Sequence, residues 1–342
     1  MEKSGVLLLN LGGPETLQDV QPFLQNLFAD PDLIRLPFPQ FQNLFAWMIS
    51  TLRTEKSKQN YQRSWGGSPL RRITAEQAQA LQTTLVQDGF DVPVYVAMRY
   101  WHPLIESVVQ QIKADQLTRV VVLPLYPQYS ITTTGSAFKL LDQLWEQDPQ
   151  LTPVERIYIN SWYDQPQYLT AMADAIREGL DQFEAPEDVH VLFSAHGIPV
   201  SYVEKYGDPY QREMEACVQL IWKQVDRPNP HTLSYQSRVG SLEWLSPYTE
   251  EILPELGAAG LKKMLVVPIS FVSEHIETLF EIDIDYRHLA NAAGIEDFRR
   301  VPTLNTEKPF IQALATLVSP YLLTPTFQTS TSVLQQTPTS AR

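Results

Sequence analysis

One pattern occurs twice in this chain. Residues 6–14 read VLLLNLGGP and residues 191–199 read VLFSAHGIP. Each is a continuous apolar run broken by glycine and proline, as a parallel strand shows when helices cover both of its faces. Two further pairs repeat the pattern. Arg99 after a strand at 94–98 corresponds to Arg238 after a strand at 233–236, and Leu123-Pro124 corresponds to Val267-Pro268. Helices read at 74–87 and 104–114, so strand, helix and strand are joined by short links. A unit that runs twice implies two similar lobes. The predicted fold class is α/β, with two similar doubly wound, Rossmann-like lobes, parallel sheets and a cleft between them. The predicted boundaries are an N-terminal lobe at 1–160, a C-terminal lobe at 161–323 and a disordered, linker-like tail at 324–342, which is mostly Thr, Ser, Gln and Pro. Ligands of open parallel sheets sit beyond the carboxyl ends of the strands. The loops after Leu11, Met98, Phe193 and Val267 should therefore meet at one cleft.

The segment 268–285 reads PISFVSEHIETLFEIDID. An apolar strand at 264–271 leads to Ser273, a natural N-cap, and into a helix at 273–287 bearing Glu274, His275, Glu277, Glu281 and Asp285. On an α-helix each step of four residues drifts by about 40°, so the last three acids form a slanting stripe. Ile276, Leu279, Phe280, Ile282 and Ile284 occupy much of the remaining circumference. Such a helix is expected to be buried, and buried carboxylates at that spacing repel unless cations or protons offset them. Glu274 reads equally well as an acid suited to the helix macrodipole. That effect fades within the first turn and does not explain Glu281 and Asp285, so the stripe reads as a cation route.

Composition narrows the partners. The 342 residues are 44% hydrophobic and 19% charged, enough for one large core or two lobes. With Lys+Arg 26 against Asp+Glu 39 the formal charge is −13, so nucleic acid is not an expected partner. A single cysteine, Cys217, excludes an internal disulfide and a cysteine-ligated cluster and fits a reducing, cytoplasmic location. No stretch approaches the roughly 20 apolar residues of a membrane span, and a strand so close to Met1 leaves no room for a signal peptide. Residues 36–53, LPFPQFQNLFAWMISTLR, carry no charge before the final Arg53. They read equally as a core helix or as an exposed apolar lip for a greasy ligand or a bilayer surface. Tyr61, Arg63 and Trp65 read as part of a loop that continues through Gly66, Gly67, Ser68 and Pro69.

Gly12, Gly13 and Pro14 read as a tight turn, because Pro14 lacks the N–H a phosphate loop would use. His196 stands just past a strand at 189–193, where Gly197 lets the backbone approach closely. A histidine at a strand end is commonly structural. Carboxylates expected across the cleft make His196 the candidate base or ligand, with His102, His190, His231, His275 and His288 weaker.

These residues carry a resemblance. LNLGGPET at 9–16, GGSPL at 66–70, RYWHP at 99–103, YPQYS at 126–130, LFSAHGIP at 192–199, GDPY at 207–210 and SEHIETLFEIDIDY at 273–286 follow the order found in ferrochelatases. The chain resembles that family from residue 5 to about 322. The resemblance implies a chelatase-like fold and a lyase that inserts Fe2+ into protoporphyrin IX, forming protohaem at the terminal step of haem biosynthesis. Fe2+ is then a substrate, with no permanently bound cofactor. A π-turn in the acidic helix is also implied, whose wider turns would cancel the drift of the carboxylates. Carried over by position, His196 and Glu277 match the catalytic pair, and with Glu281 and Asp285 they match a metal or proton relay. Arg53, Tyr61 and Ser68 match residues that contact porphyrin propionates, while Arg99, Tyr100, Trp244 and Phe271 match residues of the cleft. Leu11 replaces a loop tyrosine typical of the coproporphyrin-using branch and favours the more apolar protoporphyrin. The cysteines that hold an iron–sulfur cluster in animal relatives are absent, so no such cluster is expected.

Ferrochelatases of the cyanobacterial and plastid type, which the chain resembles most, often continue past a linker into a hydrophobic helix. A further hydrophobic segment beyond residue 342 is therefore an expectation, as is peripheral membrane contact through 36–47. Two other readings stand beside this one. A cobalt or nickel chelatase would keep His196 and the acids, and metal competition would reveal it. A non-catalytic porphyrin or haem carrier would not need the buried acids.

Overall fold

The computed structural model describes residues 3–36 and 38–323, so the predicted tail at 324–342 lies outside the described residues. In chain order the elements are β1 (Ser4–Asn10), α1 (Val20–Ala29), α2 (Gln42–Ser64), α3 (Leu70–Gln87), β2 (Val94–Met98), α4 (Ile105–Ala114), β3 (Arg119–Pro124), α5 (Ser136–Gln147), β4 (Glu155–Tyr158) and α6 (Pro166–Asp181). Then follow β5 (His190–His196), α7 (Val200–Glu204), α8 (Tyr210–Val225), β6 (His231–Gln236), α9 (Thr249–Ala258), β7 (Lys263–Val267), a π-helix (Glu277–Tyr286), α10 (Arg287–Ala292), β8 (Asp297–Arg300) and α11 (Lys308–Val318).

The strands form two parallel sheets of the same order, β2-β1-β3-β4 and β6-β5-β7-β8. Val6 of β1 pairs with Val94 and Val121, and Val191 of β5 with His231 and Leu265. The apolar runs are continuous because both faces of each sheet are covered. Val6 and Leu8 turn toward a core shared with Val191, Phe193, Leu265 and Val267 of the other sheet, filled by α3, α6, α8 and α11. Leu7 and Leu9 turn the opposite way, onto α4 and α5. Leu192, Met264 and Val266 likewise face α9 and α10. Cys217 lies in the shared core, where burial pushes its thiol up to about 12.

Several boundaries differ from the sequence reading. The strand expected at 264–271 ends at Val267, because Pro268 has no N–H to continue the ladder. Ser273 does not cap a helix. Its hydroxyl exchanges hydrogen bonds with Gln77, whose Nε2 lies 2.9 Å away, and the helix expected from 273 is π-helical from Glu277. Strand β5 extends through His196 rather than ending at Phe193. Tyr61 and Arg63 stand on α2, not in a loop. A second π-turn follows β3 at Ile131–Gly135, so each lobe has one after its third strand. The edge strands β4 and β8 had no sequence signal, since ERIY and DFRR carry charges and little apolar alternation.

The turn between α2 and α3 packs directly onto the turn after β1. Ser68 N donates to Pro14 O at 2.7 Å, and a Cβ on Gly67 would come within 2.0 Å of Glu15 O. Gly67→Ala is therefore expected to lower stability by at least about 2 kcal/mol, read as a fall in the urea midpoint at unchanged m-value.

Candidate active site

The chemistry-bearing groups collect where β5 and β7 end. Pairing between β5 and β6 runs through His196 and Gln236, which makes His196 the last residue of its strand. A side chain at Gly197 would meet Gln236 O at 3.0 Å and the Trp244 indole at 3.2 Å, so the glycine allows Trp244 to lie against the strand end. The Nδ1 of His196 is 2.6 Å from Gly197 O. A carbonyl oxygen can only accept, so Nδ1 carries the proton and Nε2 presents a lone pair. That Nε2 faces Glu277 Oε1 at 3.8 Å, too far for a hydrogen bond. Phe271 sets its ring edge-on to His196 and stacks obliquely on His275, with ring centroids 4.2 Å apart.

Glu277 opens the π-helix, its side chain 23% exposed and its Oε2 without a hydrogen-bond partner among the described residues. Burial, and then the charge of Glu281, push its carboxyl up to about 7 against the opposing pull of His196. His275 was a weak candidate in the sequence, yet its Nε2 lies 4.0 Å from Glu277 Oε2. Burial, aided by His196, holds its imidazole down to about 3, so it is neutral at physiological pH. Its position between a strand end and the acidic helix was the signal available.

Behind this pair the acids become more exposed. Glu281 is part-buried and fully engaged, accepting from Ser237 Oγ at 2.7 Å, Gln236 Nε2 at 3.2 Å and Tyr286 Oη at 3.0 Å. Asp285 is exposed. The implied π-helix is present, and its i+5 hydrogen bonding turns the chain less per residue than an α-helix does, which removes the forward drift of the acids. The expected metal set of His196, Glu277, Glu281 and Asp285 is not gathered at one point. Among the described residues no group of three or more His, Cys, Asp or Glu side chains could hold a metal ion. Glu274 is in neither expected role, because its carboxylate pairs with Arg300 at 2.9 Å and accepts from Thr303 N.

The other site residues divide. Leu11, Tyr61, Tyr100 and Ile276 share an apolar cluster with α1 and α2. Burial raises the Tyr61 phenol pKa, with Glu277 adding to it, which places Tyr61 within reach of the acid's charge. Arg53 stacks its guanidinium over Phe28 at 5.6 Å. Arg99 is paired to the buried Asp30 at 2.9 Å and donates to Ser136 Oγ at 2.8 Å. One placement corrects the sequence reading. Tyr100 is 1% exposed and donates to Asp30, so its side chain is not free to meet a substrate. Ser68 lines a cavity of about 600 Å³ with Trp65, Arg72, Glu274 and Asn305.

The uncertain stretch 36–53 is settled as a lip. Phe38, Phe41, Leu44, Trp47, Met48 and Leu52 are exposed, Leu52 at 73%, while Ala46 and Ser50 face inward against α1. No helix among the described residues is long and apolar enough to cross a membrane.

Two lobes built on parallel sheets of equal strand order define a chelatase-like fold. SirB from Bacillus subtilis with Fe3+ aligns with a TM-score of 0.55 at 13% identity, covering 93% of this chain and 94% of that one. CbiX, described as the terminal enzyme for biosynthesis of siroheme in denitrifying bacteria, aligns with a TM-score of 0.51 at 11% identity, covering 93% and 100%. Within that class the chain belongs to the ferrochelatase family, whose sequence model matches residues 3–322. It is 74% identical over 325 residues to a ferrochelatase of Synechococcus sp. (strain JA-2-3B'a(2-13)), covering 95% of this chain and 94% of the relative. A ferrochelatase of Gloeobacter violaceus is 58% identical over 318 residues, covering 93% and 97%.

Proposed function

We infer that this ferrochelatase inserts Fe2+ into protoporphyrin IX to form protohaem, with His196 and Glu277 at the reacting face of the porphyrin. The observation that carries the reading is the 3.8 Å approach of His196 Nε2, at the end of β5, to Glu277 Oε1, at the start of the π-helix. Insertion forms bonds from iron to the macrocycle nitrogens and releases two pyrrole N–H protons. The Nε2 lone pair of His196 is the acceptor for one. Glu277, with an unpartnered oxygen, takes the other or steadies the incoming cation as it sheds water. Glu281 and Asp285 connect that point to solvent. Iron is a substrate in this account, and no permanent cofactor or iron–sulfur cluster is needed. Leu11, half-buried in the apolar cluster, suits a porphyrin with apolar substituents. The direct test is the loss of protoporphyrin IX fluorescence on anaerobic addition of Fe2+ to the purified protein. Fluorescence that stays constant with the porphyrin bound would favour a carrier.

The exposed lip supports a second part of the proposal, peripheral contact with a bilayer that delivers the lipophilic substrate. A fully buried large apolar side chain is worth about 1.5–3 kcal/mol. Replacing Phe41, Leu44 and Trp47 together with serine should therefore weaken liposome partitioning by at least about tenfold. Equal sedimentation of wild type and variant with liposomes would refute the contact.

A further inference from the structure

Strand β5 has neighbours on both sides for most of its length, but not at its end. On the β6 side pairing runs through His196, and Gly197 N donates to Gln236 O at 2.9 Å. On the β7 side the register stops at Phe193 opposite Val267. After the break at Pro268 the last main-chain link there is Ile269 N to Ser194 O, at 3.2 Å. The N–H and C=O of His196 thus face a side where no strand runs among the described residues, and main-chain groups left unpaired in a buried place are costly.

Two hydroxyls occupy the missing strand's place. Ser270 Oγ accepts the His196 N–H at 2.9 Å, and Tyr210 Oη donates to the His196 C=O at 2.8 Å. The hydroxyls are 2.8 Å apart. Each has one proton, and that of Tyr210 is committed to the carbonyl, so Ser270 donates to Tyr210. The result is a closed ring of donors from His196 N–H through Ser270 and Tyr210 to His196 C=O, in which each bond polarises the next. Both residues are buried, and burial keeps the Tyr210 phenol protonated. Tyr210 is itself anchored. It ends the GDPY motif, in which Asp208 Oδ1 accepts Tyr210 N at 3.0 Å while Oδ2 accepts Ile131 N and Ser130 Oγ of the other lobe at 2.8 and 2.9 Å.

We propose that Tyr210 and Ser270 are positioning residues for His196. They clamp its main chain on the open side of β5 and so fix the direction in which Nε2 faces Glu277. This rests on the reading of His196 as the proton acceptor. Tyr210→Phe, Ser270→Ala, the double variant and His196→Ala are compared by anaerobic Fe2+ insertion and by fluorescence titration with protoporphyrin IX. Each single variant is expected to lower kcat about tenfold, with the porphyrin Kd and the KM for Fe2+ within about twofold of wild type. The double variant should fall no further than the worse single one, because either loss opens the ring. Should Tyr210→Phe not fold, Ser270→Ala carries the same expectation. An inactive His196→Ala beside single variants within twofold of wild-type kcat overturns the clamp. So do losses that multiply in the double variant, or losses of kcat that follow porphyrin affinity. An active His196→Ala instead sinks the reading of His196, and the clamp with it.

Discussion

Replacing His196 with alanine is expected to lower the rate of Fe2+ insertion by about 10²-fold or more while protoporphyrin binding stays within a few-fold of wild type, since a positioned acid–base group contributes at least that much. The imidazole is held by its strand end, its Nδ1 proton is directed to Gly197 O, and its Nε2 is the only ring nitrogen left to take a proton. Porphyrin affinity should persist because the apolar cluster around Leu11 and Tyr61 does not depend on this side chain. Free imidazole added to the variant should restore part of the rate if the role is proton transfer. Insertion above roughly a hundredth of wild type would remove His196 from the reaction.

Glu277→Gln should cost a comparable factor in kcat, because the amide keeps the shape of the carboxyl but neither accepts a pyrrole proton nor balances a cation. The same variant has a stability signature in metal-free enzyme. The Glu277 carboxyl is raised from 4.5 to about 7, so its protonated form favours the fold at low pH. That contribution is lost as pH rises from about 4.5 through about 7. The Gln variant lacks this dependence. It should match wild type near pH 4 and exceed it at pH 8 by up to about 3 kcal/mol, from 1.36 kcal/mol per pH unit. Urea titrations at both pH values would read this. A variant less stable than wild type at pH 8 would show that the carboxylate is not an uncompensated charge in the fold.

The lobes and His196 were legible because their signals are local. An apolar run ending in glycine and proline announces a buried parallel strand wherever it occurs, and its repetition announces the second lobe. Two of the readings that failed were decided by distant residues. Ser273 looked like a cap, but Gln77, 196 positions earlier, takes its hydroxyl and leaves the helix to begin later. Tyr100 looked available, but Asp30, 70 positions earlier, holds its phenol. Asp30 drew no attention in the sequence because its burial depends on Arg99, Tyr100 and Ser136 arriving from other elements. The lip was ambiguous for the opposite reason. Its composition suits a core, and it is surface because no element among the described residues covers it.

Helix α11 packs as much on α3 as on α6, and its Phe310, Ile311, Leu314 and Val318 complete the core between the sheets. During synthesis the chain emerges from its N-terminus at roughly 5–20 residues per second. The apolar face of α3 therefore waits roughly 10–50 s for the helix that covers it. Over that interval the nascent first lobe presents an open greasy surface, in addition to its permanent lip. A ribosome-bound chain halted before residue 308 should be a client for holding chaperones, and release from them should coincide with the arrival of α11.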